Sequence, residues 1–195
     1  KKSTQHLGSQ NDMATIRLAA LGLALRAAGR GWRVVIARFL KNDDSGELLP
    51  LCGIPGVEVL PCGKSFGFYR TMTDAEKAEA GEYYRELLER AWRRAEAGGN
   101  GDDAEGAGAG APGEEPDRVP VLLVLDEIAA ACTYNLVDTA RLTCLLDSRP
   151  EFLEVVLTGR NPDEGILERA DYISEIQKRR HPYDRGLGAR EGIEY

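Results

Sequence analysis

Three stretches of this sequence are nearly continuous in apolar character: W-R-V-V-I-A-R-F-L at 32–40, V-P-V-L-L-V-L at 119–125 and F-L-E-V-V-L at 152–157. A strand with one face in water alternates polar and apolar residues. Runs rich in β-branched residues that do not alternate must be buried on both faces, as in a parallel sheet covered by helices. Helical spacing occurs between them. Ile16, Ala19, Ala20, Leu23 and Ala27 predict a helix over 13–29, with Gly29 as its stop. Thr73 followed by Glu76 forms a capping box for a helix reaching residue 97, with Tyr83, Leu87, Leu88, Ala91 and Trp92 turned inward. Further helices are predicted at 137–146 and 163–170. This alternation predicts an α/β fold: a mostly parallel sheet with right-handed crossovers and helices on both faces. The 195 residues suffice for one such domain.

The remaining segments are less regular. Residues 47–52 predict a short helix, and Pro55-Gly56 turns the chain into a short strand at 57–60. Another strand is predicted at 172–177, and the tail from 178 is mostly irregular. Residues 3–9 (S-T-Q-H-L-G-S) lack the apolar run of a central strand, so this stretch is expected to be irregular or loosely paired. Residues 96–118 form an acidic Gly/Ala-rich insert with no side chains to build a core, read as a flexible loop within a single domain spanning 1–195.

That insert explains the formal net charge of -7, because 96–117 carries seven acids and no base while the rest balances. No basic face points to nucleic acid. No apolar run reaches the length of a membrane span, and the run at 18–25 is better used as a core helix than as an export signal. Cys52, Cys62, Cys132 and Cys144 follow no zinc spacing and read as reduced thiols, with Cys144 on an apolar helical stripe. These features together predict a cytoplasmic protein.

In an open parallel sheet, ligands sit at the carboxyl ends of the strands. Asp126 and Glu127 close one apolar run, where acids hold Mg²⁺ near a nucleotide or, alternatively, cap the next helix. Thr158-Gly159-Arg160 closes another: a small residue and a glycine admit a ligand to the backbone, and an arginine grips phosphate or ribose, or simply lies on the surface. Phe66, Phe68 and Tyr69 lie in a glycine-containing loop, where they can wall a flat apolar ligand or pack beneath the loop. His181 stands in a basic cluster and reads as exposed.

Taken together, these segments resemble the P-loop type of ATP:corrinoid adenosyltransferase. The matching stretches are A-A-L-G-L-A-L-R-A-A-G-R-G (19–31), W-R-V-V-I-A-R-F-L-K (32–41), E-L-L-P-L (47–51), S-F-G-F (65–68), V-L-D-E (124–127), L-E-V-V-L-T-G-R-N (153–161), A-D-Y-I-S-E-I (170–176) and the ending H-P-Y-D-R-G-L-G-A-R-E-G-I-E-Y (181–195). The resemblance implies a three-layer fold like that of P-loop nucleotide hydrolases. It also implies transfer of the 5′-deoxyadenosyl group of ATP to the Co(I) of a corrinoid, with release of triphosphate, in cobalamin biosynthesis or salvage. It places Mg²⁺ at Asp126 and Glu127 as the catalytic acids, and the nucleotide at Arg26, Thr158, Gly159, Arg160 and Asn161. The family's Phe-x-Trp pair, which fills the lower face of the corrinoid, falls on Phe66 and Phe68. A homodimer and a flavoprotein reductant are further implications.

The sequence departs from this family at the front. The family carries G-[ND]-G-K-G-K-T-T-A-A before its first helix, and this chain reads N-D-M-A-T-I-R-L-A-A at 11–20. Asn11, Met13 and Thr15 replace the glycines that turn backbone N–H groups toward phosphate. Ala14 and Ile16 replace lysines, and Arg17 and Leu18 replace threonines, the first of which ligates Mg²⁺ in such loops. Only Asp12 is kept. The bare N–H groups of the first helix, with Arg17 or Arg26, would make a poorer phosphate site. Two expectations follow: an adenosyltransferase with a degenerate phosphate loop, or a corrinoid-binding carrier or sensor that has lost tight ATP binding.

Overall fold

The computed structural model describes residues 4–9, 13–41, 46–98, 118–180, 185–188, 190 and 192, with backbone alone for 4–9 and for 13 and 14. The strands are β1 (Thr4–Ser9), β2 (Arg33–Arg38), β3 (Val57–Val59), β4 (Val121–Asp126), β5 (Leu153–Gly159) and β6 (Tyr172–Ile176). The helices are α1 (Met13–Ala28), α2 (Leu48–Cys52), α3 (Asp74–Gly98), α4 (Ile128–Thr133), α5 (Thr139–Ser148) and α6 (Glu164–Leu167). The six strands form one sheet in the order β3-β2-β4-β5-β1-β6. Every neighbouring pair is parallel.

The three apolar runs became β2, β4 and β5, which lie side by side. All six residues of β4 are buried. Their side chains alternate between two cores, as a period of two requires. Val35, Ala37, Leu123, Leu125, Val155 and Leu157 face the layer of α3, α4 and α5. Val34, Ile36, Leu122, Val124 and Val156 face α1, with Ile16, Ala20 and Ala24 packed on them. Helices therefore cover both faces, as the uninterrupted runs demand.

The expectation for residues 3–9 is corrected. β1 pairs in parallel with both β5 and β6, in register from Thr4↔Val155 and from Gln5↔Tyr172. Backbone hydrogen bonding to two neighbours supplies what apolar side chains were thought to supply, and strand propensity yields to that context. Residue 3 lies outside the described residues, as do most of the acidic insert (99–117), Asn11, Asp12, His181 and the rest of 181–184.

Helix α3 starts as predicted. The Thr73 N–H donates to Glu76 Oε2 at 2.7 Å, and the Glu76 N–H donates to Thr73 Oγ1 at 3.3 Å. Its inward stripe runs through Ala80, Tyr84, Leu87, Leu88, Ala91, Trp92 and Ala95. Tyr84 thus takes the core position expected for Tyr83, because it continues the four-residue step from Ala80 and Tyr83 falls off that row. Helix α4 was not anticipated, and α6 is a single turn where a helix over 163–170 was expected.

The cysteines divide by burial. All four are free; Cys62 and Cys132 are buried, and Cys52 and Cys144 are exposed. Cys144 therefore lies off the apolar stripe of α5, which Leu142, Leu145 and Leu146 form. Burial pushes the Cys132 thiol up to about 11. Maleimide labelling of the native chain, mapped by mass spectrometry, is expected to modify Cys52 and Cys144 rapidly. Cys62 and Cys132 should react only after unfolding in denaturant.

Candidate functional site

The carboxyl ends of β2, β4 and β5 open on a cavity of about 1030 Å³. Leu40 and Lys41 reach it from the end of β2, Glu127 from β4, and Arg160 and Asn161 from β5. Its far wall is the aromatic loop, with Phe68 and Tyr69, and the end of α4, with Tyr134. Leu40, Glu127 and Asn161 all have positive φ, at 57°, 65° and 49°. Side-chain-bearing residues enter this region at a cost of about 1–2 kcal/mol each. Each of the three strands thus leaves the sheet through a strained residue that lines the cavity, a clustering typical of ligand sites.

Behind the cavity, one hydroxyl ties two strands together. Thr158 Oγ1 donates to Asp126 Oδ1 at 2.6 Å and accepts from the Glu127 N–H at 2.8 Å. All three residues are buried. Asp126 Oδ2 lies 3.5 Å from Arg17 Nε, and Arg17 Nη1 donates to Glu47 Oε1 at 2.9 Å. Burial raises the Glu47 carboxyl, but the hydrogen bond from Arg17 and the charges of Arg17 and Arg38 outweigh it and hold the group below its usual range. Burial pushes the Glu127 carboxyl above its usual range, although Lys41 Nζ lies 3.4 Å from Oε1 and opposes the shift.

The structure sorts the residues singled out in the sequence. Glu127, Arg160, Asn161 and Phe68 meet at the cavity. Asp126 and Thr158 support it from within the sheet, and the Thr158 hydroxyl is spent on its two neighbours. Gly159, at φ 141°, does admit a close approach, but from α4: an added Cβ would stand 2.8 Å from Ala129 Cβ and 2.9 Å from Ala130 N. Glu127 holds the N-cap position of α4 without a side-chain cap bond, so the helix-capping alternative does not describe its carboxylate. The aromatic pair is split. Phe66 packs on Tyr83 and Tyr84, with ring centroids 5.7 and 5.8 Å away, whereas Phe68 is 85% exposed.

Arg26 is a correction. It lies in the last turn of α1 and lines a separate groove with Leu122 and Glu154, at the start of β4 and β5. Helix α1 returns antiparallel to the strands, so its last turn sits at the edge of the sheet opposite the cavity. Arg17, about two and a half turns earlier, is the α1 arginine at the strand carboxyl ends. Ile16, where the family has a lysine, is fully buried against the sheet.

Sequence reasoning missed Lys41, Arg38, Tyr134 and Thr133. Lys41 was passed over within the matched strand. Arg38 is 1% exposed and sits in register beside Asp126. The detectable signal was a charge closing an apolar run, the same signal that pointed to Asp126. Tyr69 and Tyr134 stack with centroids 4.3 Å apart and an interplanar angle of 8°, clamping the aromatic loop to α4. Thr133 adds a second clamp, donating to the carbonyl of Asn161 at 2.9 Å. Sequence separation hides both contacts.

The acids offer little to a divalent ion. Asp126 and Glu127 each face a protein cation, and among the described residues no group of three or more acidic, histidine or cysteine ligands is arranged to hold a metal. Among the described residues, no helix is long and apolar enough to cross a membrane.

Comparison with known proteins places this site in context. Residues 17–195 match the family model for the ATP:corrinoid adenosyltransferase BtuR/CobO/CobP. The corrinoid adenosyltransferase of Escherichia coli K12 is 27% identical over 177 residues, covering 91% of this chain and 78% of that protein. Its counterpart from Pseudomonas aeruginosa is 27% identical over 181 residues, covering 91% and 76%. A corrinoid adenosyltransferase from Sinorhizobium sp. is 37% identical over 75 residues, which are 38% of this chain and 35% of that protein. Among solved structures, EssC (ATPases 2 and 3) from Geobacillus thermodenitrificans is similar at a TM-score of 0.47 and 13% identity, over 88% of this chain and 32% of that one.

The tie between β4 and β5 has a measurable cost when broken. Thr158→Val leaves two buried groups without partners, so a loss of about 3 kcal/mol is expected at about 1–3 kcal/mol per group. Thr158→Ser keeps the hydroxyl and should unfold in urea close to wild type.

Proposed function

Because this chain belongs to the ATP:corrinoid adenosyltransferase family, we propose that it joins the 5′-deoxyadenosyl group of ATP to the cobalt of a reduced corrinoid. The lone pair of Co(I) attacks C5′ of the ribose, the C5′–O bond breaks, and triphosphate leaves. One observation supports this reading above others: a single cavity is lined both by aromatic Phe68, Tyr69 and Tyr134 and by polar Arg160, Asn161, Lys41 and Glu127. A flat macrocycle and an anionic nucleotide need walls of these two kinds.

In this reading Arg160 and Lys41 face the triphosphate, and Asn161 fixes the nucleotide beside them. Charge collects on the departing phosphate oxygens, and fixed cations at the cavity stabilise it as it grows. Thr158, Gly159 and Asp126 keep these groups in place from behind. Phe68 covers the lower face of the corrinoid, and Phe66 supports its loop from beneath. The residues at 11–18 weaken the grip on phosphate, because Ile16 is committed to the core. No step is assigned to Mg²⁺. The protein acts in the cytoplasm as a homodimer, in cobalamin biosynthesis or salvage, and a flavoprotein supplies the electron that makes Co(I).

An anaerobic assay with ATP and chemically reduced cobalamin, read by the absorbance of the cobalt–carbon product, tests the activity. Product formation is expected in the wild type; corrinoid binding with no product at saturating ATP would refute the transfer and leave a carrier. Arg160→Ala is expected to lower kcat/KM roughly 10- to 100-fold, since a hydrogen bond to a charged group contributes about 1.5–3 kcal/mol.

The two phenylalanines should separate. Phe68→Ala is expected to weaken corrinoid binding, seen by absorbance titration, with the melting temperature unchanged. Phe66→Ala should lower stability by about 2 kcal/mol, below the range for a fully buried phenylalanine because the ring is only partly buried.

A further inference from the structure

The residue at position 17 changes what Asp126 can do. In phosphate-binding loops of the P-loop type, the hydroxyl at this place and an acid at the end of another strand share a divalent ion. Here the place is taken by an arginine whose Nε lies 3.5 Å from Asp126 Oδ2 and whose Nη1 lies 2.9 Å from Glu47 Oε1. Arg17 and Asp126 are both largely buried, with side chains 13% and 2% exposed. The other oxygen of Asp126 accepts the proton of Thr158.

We infer that the Arg17 guanidinium is a built-in cation at Asp126, standing where a divalent metal would stand, so that this site works without a resident metal ion.

Three observations carry the inference. First, one oxygen of Asp126 accepts from a hydroxyl, and the other, which accepts no hydrogen bond, stands 3.5 Å from a guanidinium in an ion pair. Magnesium needs near-octahedral oxygen ligands at about 2.0–2.1 Å, so it would have to displace the arginine and then lie beside its charge. Second, the adjacent acid is also neutralised by the protein, since Lys41 Nζ lies 3.4 Å from Glu127 Oε1. Third, a buried carboxylate requires a counter-charge whether or not a ligand is present. An arginine supplies it permanently, because its guanidinium stays protonated and spans two carboxylates in one plane. A metal site that is filled only with nucleotide cannot do this in the free protein.

The inference rests on these ion pairs and stands apart from the proposed adenosyl transfer; no nucleotide enters its test. Full-length wild type, Asp126→Asn, Arg17→Thr, Arg17→Lys and the double variant Arg17→Thr/Asp126→Asn are titrated with Mn²⁺ alone. Binding is read by electron paramagnetic resonance, and circular dichroism checks the fold of each. Wild type and Asp126→Asn are expected to bind Mn²⁺ alike. Arg17→Thr should gain a site in the millimolar range, the double variant should lose it, and Arg17→Lys should gain none. A wild-type site that vanishes in Asp126→Asn overturns the inference, and so does a folded Arg17→Thr protein with no added site. Should Arg17→Thr not fold, wild type against Asp126→Asn decides: equal binding supports the inference and Asp126-dependent binding overturns it.

Discussion

Burial of both faces of a parallel sheet is the constraint from which the rest of this structure follows. β2, β4 and β5 carry apolar side chains to both cores, so their middle residues are apolar. Polar residues can enter only where the strands end. At the carboxyl edge they do so together: Arg38, Asp126 and Thr158 close three adjacent strands. Buried polar groups need partners. The Thr158 hydroxyl, held between Asp126 and the Glu127 backbone, is the result.

From this tie the site grows outward. Glu127, Leu40 and Asn161 turn the chain sharply at positive φ and bring their strand ends to one cavity. Gly159 lets α4 press against the sheet, and α4 carries Tyr134 to the stack with Tyr69. The aromatic loop is thereby fastened to the same edge as the acids. Its one strongly exposed ring, Phe68, stays available because Phe66 takes the anchoring role against Tyr83 and Tyr84.

Charge balance at this edge is supplied by the protein. Arg17 bridges Asp126 and Glu47, and Lys41 faces Glu127. Families that grip phosphate with a glycine-rich loop leave such acids for a metal. This chain reads N-D-M-A-T-I-R-L at 11–18 in place of such a loop, and Arg17 of that stretch lies largely buried beside Asp126. Ile16 and Arg17 are successive residues of α1, one turned into the core and the other toward the acids.

Sequence alone determined the α/β class, the two-sided burial of the three main strands, the capping box of α3, and the strand ends that line the cavity. Each of these depends on residues close together in the chain, through a period of two, a period near four, or a charge closing an apolar run. The family resemblance was legible for the same reason, in contiguous stretches. Tertiary structure decided the pairing of the polar strand β1, the choice of Tyr84 over Tyr83, the inward packing of Phe66 and the removal of Arg26 from the site. It also decided that Arg17, Lys41, Tyr69 and Tyr134 belong there. Those outcomes depend on partners that lie far off in sequence, such as Arg17 with Asp126 and Tyr69 with Tyr134, and only the closed sheet brings such partners within reach of each other.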